Sequence, residues 1–197
     1  MFSVYQLKMK HIAIFASGTG SNAKKIIEHF RGHDQIAVSL VVSNKATAPV
    51  LKIAEENGIP THVLNRKDFY ENQTMLKIFN QYSIDFVVLA GFLILMPTYL
   101  VKAYEGRMVN IHPALLPKYG GKGMYGMNVH EAVKQAGDRV TGITIHYINE
   151  HYDQGDIVFQ ATCPVELDDS PEDIAKKIHA LEHEHFPKVI EKLIVNC

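Results

Sequence analysis

Asn110 and His112 stand two residues apart in the segment Met108-Val-Asn-Ile-His-Pro113. Side chains two apart on an extended strand project from the same face. An amide and an imidazole presented together can polarise a carbonyl and hold the oxyanion formed when it is attacked. The same pair could equally do no more than close a strand end. A third candidate is Asp153, inside the turn-like run His151-Tyr-Asp-Gln-Gly-Asp156. Beside His112 its carboxylate would raise the imidazole pKa and make the ring cationic when needed. As an ordinary turn residue it would only bond neighbouring backbone N–H groups.

Upstream, Ser17-Gly-Thr-Gly-Ser-Asn22 joins an apolar run to an amphipathic one. Glycines let the backbone approach an anion, and the free N–H groups and dipole of a following helix favour a phosphate there. Gly18, Gly20 and Ala23 also meet the loose dinucleotide pattern, but that reading expects an acid after the second strand, and Val41 to Lys45 contains none. No Gly-Lys-Ser/Thr is present, which removes a nucleoside-triphosphate loop. A plain tight turn is the remaining alternative. His179 and His183 share a helical face, but a zinc-protease helix needs Glu directly after the first histidine, and Ala180 is there. A polar, solvent-facing stripe with no metal is the expectation.

The elements that must position these residues follow from periodicity. Ile12–Ala16, Ile36–Val42, Thr61–Leu64, Phe86–Leu89 and Met108–Ile111 are short apolar runs that read as strands. Asn22–Phe30, Pro49–Asn57 and Asp68–Tyr82 read as helices; Pro49 opens the second and Gly58 stands just past it. Alternation of near-continuous apolar strands with helices implies an α/β, doubly wound, mostly parallel sheet. Val140–Ile148 and Ile157–Val165 follow each other too closely for another crossover and read as antiparallel neighbours. Ser170-Pro-Glu-Asp173 then supplies an N-cap, a first-turn proline and acidic residues for a last helix reaching about Leu193, with Pro187 a place to bend. Pro113 to Met127, rich in glycine, reads as a long loop over the Asn110–His112 end.

Composition bounds the rest. The 197 residues are 47% apolar and 21% charged, which excludes disordered and fibrous classes. Twenty Lys and Arg against 21 Asp and Glu leave a net charge of −1, without the cationic excess of a nucleic-acid binder. An anionic partner is therefore expected to be small and held locally. Phe86 to Leu95 is far shorter than a membrane span. Cys163 and Cys197 read as free thiols in a reducing cytoplasm. Residues 1–8 read as an N-terminal extension without leader character, and residues 9–197 as a single domain.

Together, SGTGSN (17–22), LAGF (89–92), NIHPALLPKYGG (110–121), TGITIHYINEHYDQGDI (141–157) and EHEHFP (182–187) resemble the phosphoribosylglycinamide formyltransferases, from about Met9 to the C-terminus. The resemblance implies a Rossmann-like formyltransferase fold. It also implies formyl transfer from 10-formyltetrahydrofolate to the amine of phosphoribosylglycinamide in purine synthesis, with small-molecule substrates and no metal. It implies a catalytic trio of Asn110, His112 and Asp153, a phosphate-holding loop of Gly20, Ser21 and Asn22, and Glu182 on the ribose hydroxyls. Arg66 would contact the folate, with Leu93, Ile94, Leu95 and Met96 lining the pterin pocket beside Asn110; Ile94 stands where some members have arginine. The trio is shared across the wider fold, so other acceptors compete: an amino-sugar nucleotide, or water in a formyltetrahydrofolate deformylase. The deformylase family adds an N-terminal domain, and methionyl-tRNA formyltransferases a C-terminal domain and a basic surface. A nonenzymatic nucleotide-binding module would leave the trio unexplained.

Overall fold

A computed structural model describes residues 8–195, so most of the expected N-terminal extension, and Cys197, lie outside the described residues. The chain forms β1 (Lys10–Phe15), α1 (Ser21–Phe30), β2 (Ile36–Ser43), α2 (Pro49–Glu56), β3 (Thr61–Val63), α3 (Arg66–Tyr70) and α4 (Thr74–Gln81). It continues through β4 (Ile84–Leu89), α5 (Thr98–Ala103), β5 (Met108–His112), α6 (Met127–Ala136), β6 (Val140–Tyr147), β7 (Ile157–Pro164) and α7 (Pro171–Val195). The seven strands form one sheet in the order β3-β2-β1-β4-β5-β6-β7. Pairing is parallel from β3 to β5 and antiparallel from β5 to β7.

Strand alternation divides the interior between the two faces. Ile12 and Ile14 of β1 join one cluster, with Ile26 of α1, Val50 of α2, Val133 of α6, and Ile178, Phe186 and Ile190 of α7. Ala13 and Phe15 point the other way, into a cluster with Phe69, Met75, Phe79 and Leu100 from α3 to α5. β1 is thus covered on both sides, the condition for a parallel sheet. Cys163 is a free, half-buried thiol on the edge strand β7.

Two expectations are corrected. The single helix expected over Asp68–Tyr82 is two helices, α3 and α4. Gln73 takes a left-handed φ of 51° between them, and Asn65 caps α3 early by accepting from the Lys67 and Asp68 N–H groups at 2.9 and 3.2 Å. Helices α5 and α6 had not been anticipated. For α6 the signals were Val129 and Val133 four apart and Gly137 as a left-handed C-cap, masked by the glycine-rich stretch before it. α7 runs on through Pro187, and its start is a reciprocal cap: the Asp173 N–H donates to Ser170 Oγ at 3.1 Å, while the Ser170 hydroxyl donates to Asp173 Oδ2 at 2.6 Å.

Candidate active site

Chain order reverses between β1 and β4, the neighbours at the middle of the sheet. In open α/β sheets such a reversal leaves a crevice at the strands' carboxyl ends. A cavity of about 630 Å³ lies there, lined by the loop from Gly18 to Asn22 after β1 and by Ala90 to Leu93 after β4. The two loops are tied together: the Ser17 N–H donates to the Gly91 carbonyl and the Leu93 N–H to Ser17 Oγ, both at 3.0 Å. Gly20 caps α1 at φ 78°, and a Cβ on it would sit 2.6 Å from Val50 Cγ2, so glycine is required. No side chain caps α1, an arrangement in which first-turn N–H groups can receive an anion.

Asn110, His112 and Asp153 line the same cavity. His112 is buried at the end of β5, with Nε2 2.8 Å from the Tyr119 carbonyl; a carbonyl only accepts, so Nε2 carries hydrogen. The ring therefore turns Nδ1 towards Asp153 Oδ2, 3.6 Å away. Asp153 adopts φ 54° in the turn after β6, accepts from the Gly121 N–H at 2.9 Å, and sets Oδ1 3.6 Å from Nε2 of buried His146. Gly120 permits this approach, since a Cβ there would press on Leu116 and Asp153. The pairing of Asp153 with His112 is present, but its expected effect on the imidazole is not. Burial lowers the His112 pKa by more than Asp153 and the Tyr119 carbonyl raise it, so the ring sits below its ordinary value. Burial alone would raise Asp153, but His146, His112 and the Gly121 N–H outweigh it and hold the carboxyl below its ordinary value.

Across the cavity, Asn22 Nδ2 donates to Glu182 Oε2 at 2.9 Å, and His179 Nδ1 lies 2.9 Å from the same oxygen. The Glu182 contact raises the His179 pKa. The helix-α7 histidines are thus not simply a solvent-facing stripe: His179 faces the cavity and His183 is half-buried. Among the described residues no three His, Cys, Asp or Glu side chains are placed to hold a metal ion. Sequence reading missed His130 and His146; an unrecognised helix hid the first, and a strand alternation consistent with plain core the second.

The expected folate segment is divided. Leu93 lines the cavity and is 42% exposed, whereas Arg66, Ile94, Leu95 and Met96 do not line it. Met96 is buried in the second core cluster and Ile94 packs against it. The Arg66 guanidinium lies 5.7 Å above the Tyr70 ring, and the Tyr70 hydroxyl donates to the Leu95 carbonyl at 2.8 Å. Tyr70 therefore links Arg66 to this segment beside the cavity.

The Formyl transferase family model matches residues 10–190. The chloroplastic phosphoribosylglycinamide formyltransferases of Arabidopsis thaliana and Vigna unguiculata are 41% and 39% identical over 95% of this chain, which spans 66% and 62% of their lengths. The crystal structure of phosphoribosylglycinamide formyltransferase from Bacillus halodurans superimposes with a TM-score of 0.85 at 37% identity, covering 94% of this chain and 95% of that one. The chain belongs to the formyl transferase family.

Proposed function

We propose that this chain transfers the formyl group of 10-formyltetrahydrofolate to the amine of 5'-phosphoribosylglycinamide, the formylation step of de novo purine synthesis. One observation carries the reading: the glycine-rich start of α1 and an amide–imidazole–carboxylate trio line a single cavity. Relatives that match nearly the whole chain bear the name of this activity. Gly20, Ser21 and Asn22 hold the phosphate at the start of α1, and Glu182, kept in place by Asn22 and His179, takes the ribose hydroxyls. Leu93 provides apolar wall for the folate, and Arg66 stands at the outer edge of that side. Both substrates are small molecules, and the free thiol of Cys163 supports a reducing compartment such as the cytoplasm. No helix among the described residues is long and apolar enough to cross a membrane.

The mechanism follows from what each side chain has free. The acceptor's neutral amine attacks the formyl carbon and the carbonyl oxygen becomes an oxyanion. One N–H of the Asn110 amide faces His146 at 3.2 Å, and the second is available to the oxyanion. The attacking nitrogen must lose a proton, and the departing N10 must gain one as the carbon–N10 bond breaks. The His112–Asp153 pair serves both needs: burial lowers the pKa of the ring and favours a form able to accept at Nδ1, and the Asp153 carboxylate 3.6 Å away steadies the imidazolium that results. Proton transfer of this kind is worth on the order of 10²–10⁴ in rate.

Folate absorbance followed with both substrates, with each omitted, and with the His112→Ala protein as background tests the proposal. Turnover only when both substrates are present is expected. Formate release without the ribonucleotide would make the protein a deformylase, and turnover with an amino-sugar nucleotide alone would move the acceptor assignment.

A further inference from the structure

His130 lies in the first turn of α6 and is 3% exposed, yet it forms part of the cavity wall with Asn22, His112, His179 and Glu182. Nδ1 is sealed from solvent without a partner, and among the described residues neither ring nitrogen makes a hydrogen bond. Buried polar side chains are overwhelmingly hydrogen-bonded, and Nε2, the ring nitrogen that is not sealed, is the one a molecule in the cavity could satisfy. With Nδ1 enclosed and nothing there to accept a hydrogen, the tautomer protonated at Nε2 avoids an orphaned N–H and presents a donor at the wall. The charges this ring feels are those of His179, Glu182 and His112, which sets it between the corner proposed to hold the ribose and the reacting end. Asn22 Oδ1 is a second buried atom without a partner in the same corner. Lys122, exposed on the loop, is the one Lys or Arg side chain in the described lining. Besides Lys122, recognition of an anionic acceptor can draw on helix N–H groups and histidines.

We propose that His130 is an acceptor-binding residue, donating from Nε2 to an oxygen on the ribose-phosphate half of the acceptor; this rests on the function proposed above. A hydrogen bond to a charged oxygen is worth on the order of 10- to 100-fold in binding. His130→Leu, close in volume but without a donor, is expected to raise the KM for phosphoribosylglycinamide by about that factor. Its kcat, and its KM for 10-formyltetrahydrofolate, should stay within about twofold, and His130→Gln, whose amide N–H can replace Nε2–H, should recover most of the loss. Calorimetric titration with the ribonucleotide alone should repeat the ranking. Unchanged ribonucleotide affinity in His130→Leu, or equal loss for both substrates, overturns the assignment. Should His130→Leu fail to fold, wild-type protein labelled with ¹⁵N-histidine decides. The His130 Nε2 resonance should move on adding the ribonucleotide and not on adding the folate, and no movement overturns the proposal. If wild-type protein binds the ribonucleotide with this signature but does not formylate it, the functional reading fails while the His130 assignment stands.

Discussion

The side chains of Asn110 and His146 are joined across neighbouring strands, Asn110 Nδ2 lying 3.2 Å from His146 Nε2. The two residues are direct partners in the β5–β6 register, and His146 Nδ1 donates to the Tyr147 carbonyl at 2.8 Å, which holds the ring with Nε2 towards the amide. His146 thus fixes which way Asn110 points while its Nε2 also lies 3.6 Å from Asp153 Oδ1. Replacing Asn110 by Ala should cost on the order of 10²–10³ in kcat, the usual loss for one oxyanion donor. His146→Ala should cost less and act through kcat rather than either KM, and His146→Gln, which keeps an acceptor for the amide, should restore much of it. Steady-state kinetics on the three proteins checks this; a kcat for His146→Ala equal to wild type would show that Asn110 holds its orientation without help.

Asp153→Asn removes a charge while an amide oxygen still accepts from the Gly121 N–H, so the loop contact survives. The imidazolium formed at His112 then has no counter-charge. We expect kcat to fall on the order of 10²-fold or more with a near-normal melting temperature. A comparable fall in melting temperature would instead assign Asp153 mainly to holding the loop.

Thr144 is fully buried opposite His112 in the register and holds three partners through one hydroxyl. It donates to the Ala114 carbonyl at 2.7 Å and accepts from the Leu116 N–H at 3.0 Å and Gln160 Nε2 at 2.9 Å. Thr144→Val keeps the shape and orphans these groups, which should destabilise the fold by about 1–3 kcal/mol. Because the freed segment carries Tyr119, the partner of His112 Nε2, turnover should fall too. Denaturant titration alongside kinetics tests both; unchanged stability would mean that water replaces the hydroxyl.

Acid should destabilise the protein. Burial places the pKa values of His112, His130 and His62 below their ordinary 6.5, so the unfolded chain takes up protons that the folded chain refuses. The stability these rings contribute is complete above about pH 6.5 and is lost as pH falls through their folded values. His179, raised by Glu182, works the opposite way, but alone and with a side chain 56% exposed. Asp153 adds a further loss only below its ordinary 3.8. Melting temperatures from about pH 8 to pH 5 should hold level and then decline below about 6.5. A rising profile would contradict the burial of these rings.

Much of this arrangement is legible in the amino-acid sequence. The β-branched runs and Pro49–Gly58 marked the doubly wound half, and the close spacing of Val140–Ile148 and Ile157–Val165 marked the antiparallel pair, because local periodicity and turn length decide such matters. Asn110 and His112 were visible as a same-face pair, and the Gly20–Asn22 loop as a helix start. What escaped depends on surroundings. The break at Gln73 needs a left-handed residue that no pattern announces. The charge on His112 depends on how deeply the strand end is buried, and proximity to Asp153 suggests the wrong direction. An apolar segment such as Leu93 to Met96 reads the same whether it lines a pocket or fills a core; only Leu93 turns to the cavity.

Glu182 and His179 arrive on α7, some seventy residues after Asn110, yet α7 packs against α1 and buries Ile174, Ile178 and Phe186 in the first core cluster. During synthesis the parallel strands and the trio emerge well before that helix. A ribosome-bound chain that has reached only the end of β7 holds Asn110, His112 and Asp153 but lacks the carboxylate that Asn22 engages and α7's share of that face of the sheet. On the function proposed above, the phosphate loop and the trio therefore precede the ribose contact in synthesis, and the acceptor side of the cavity is complete only once α7 has docked.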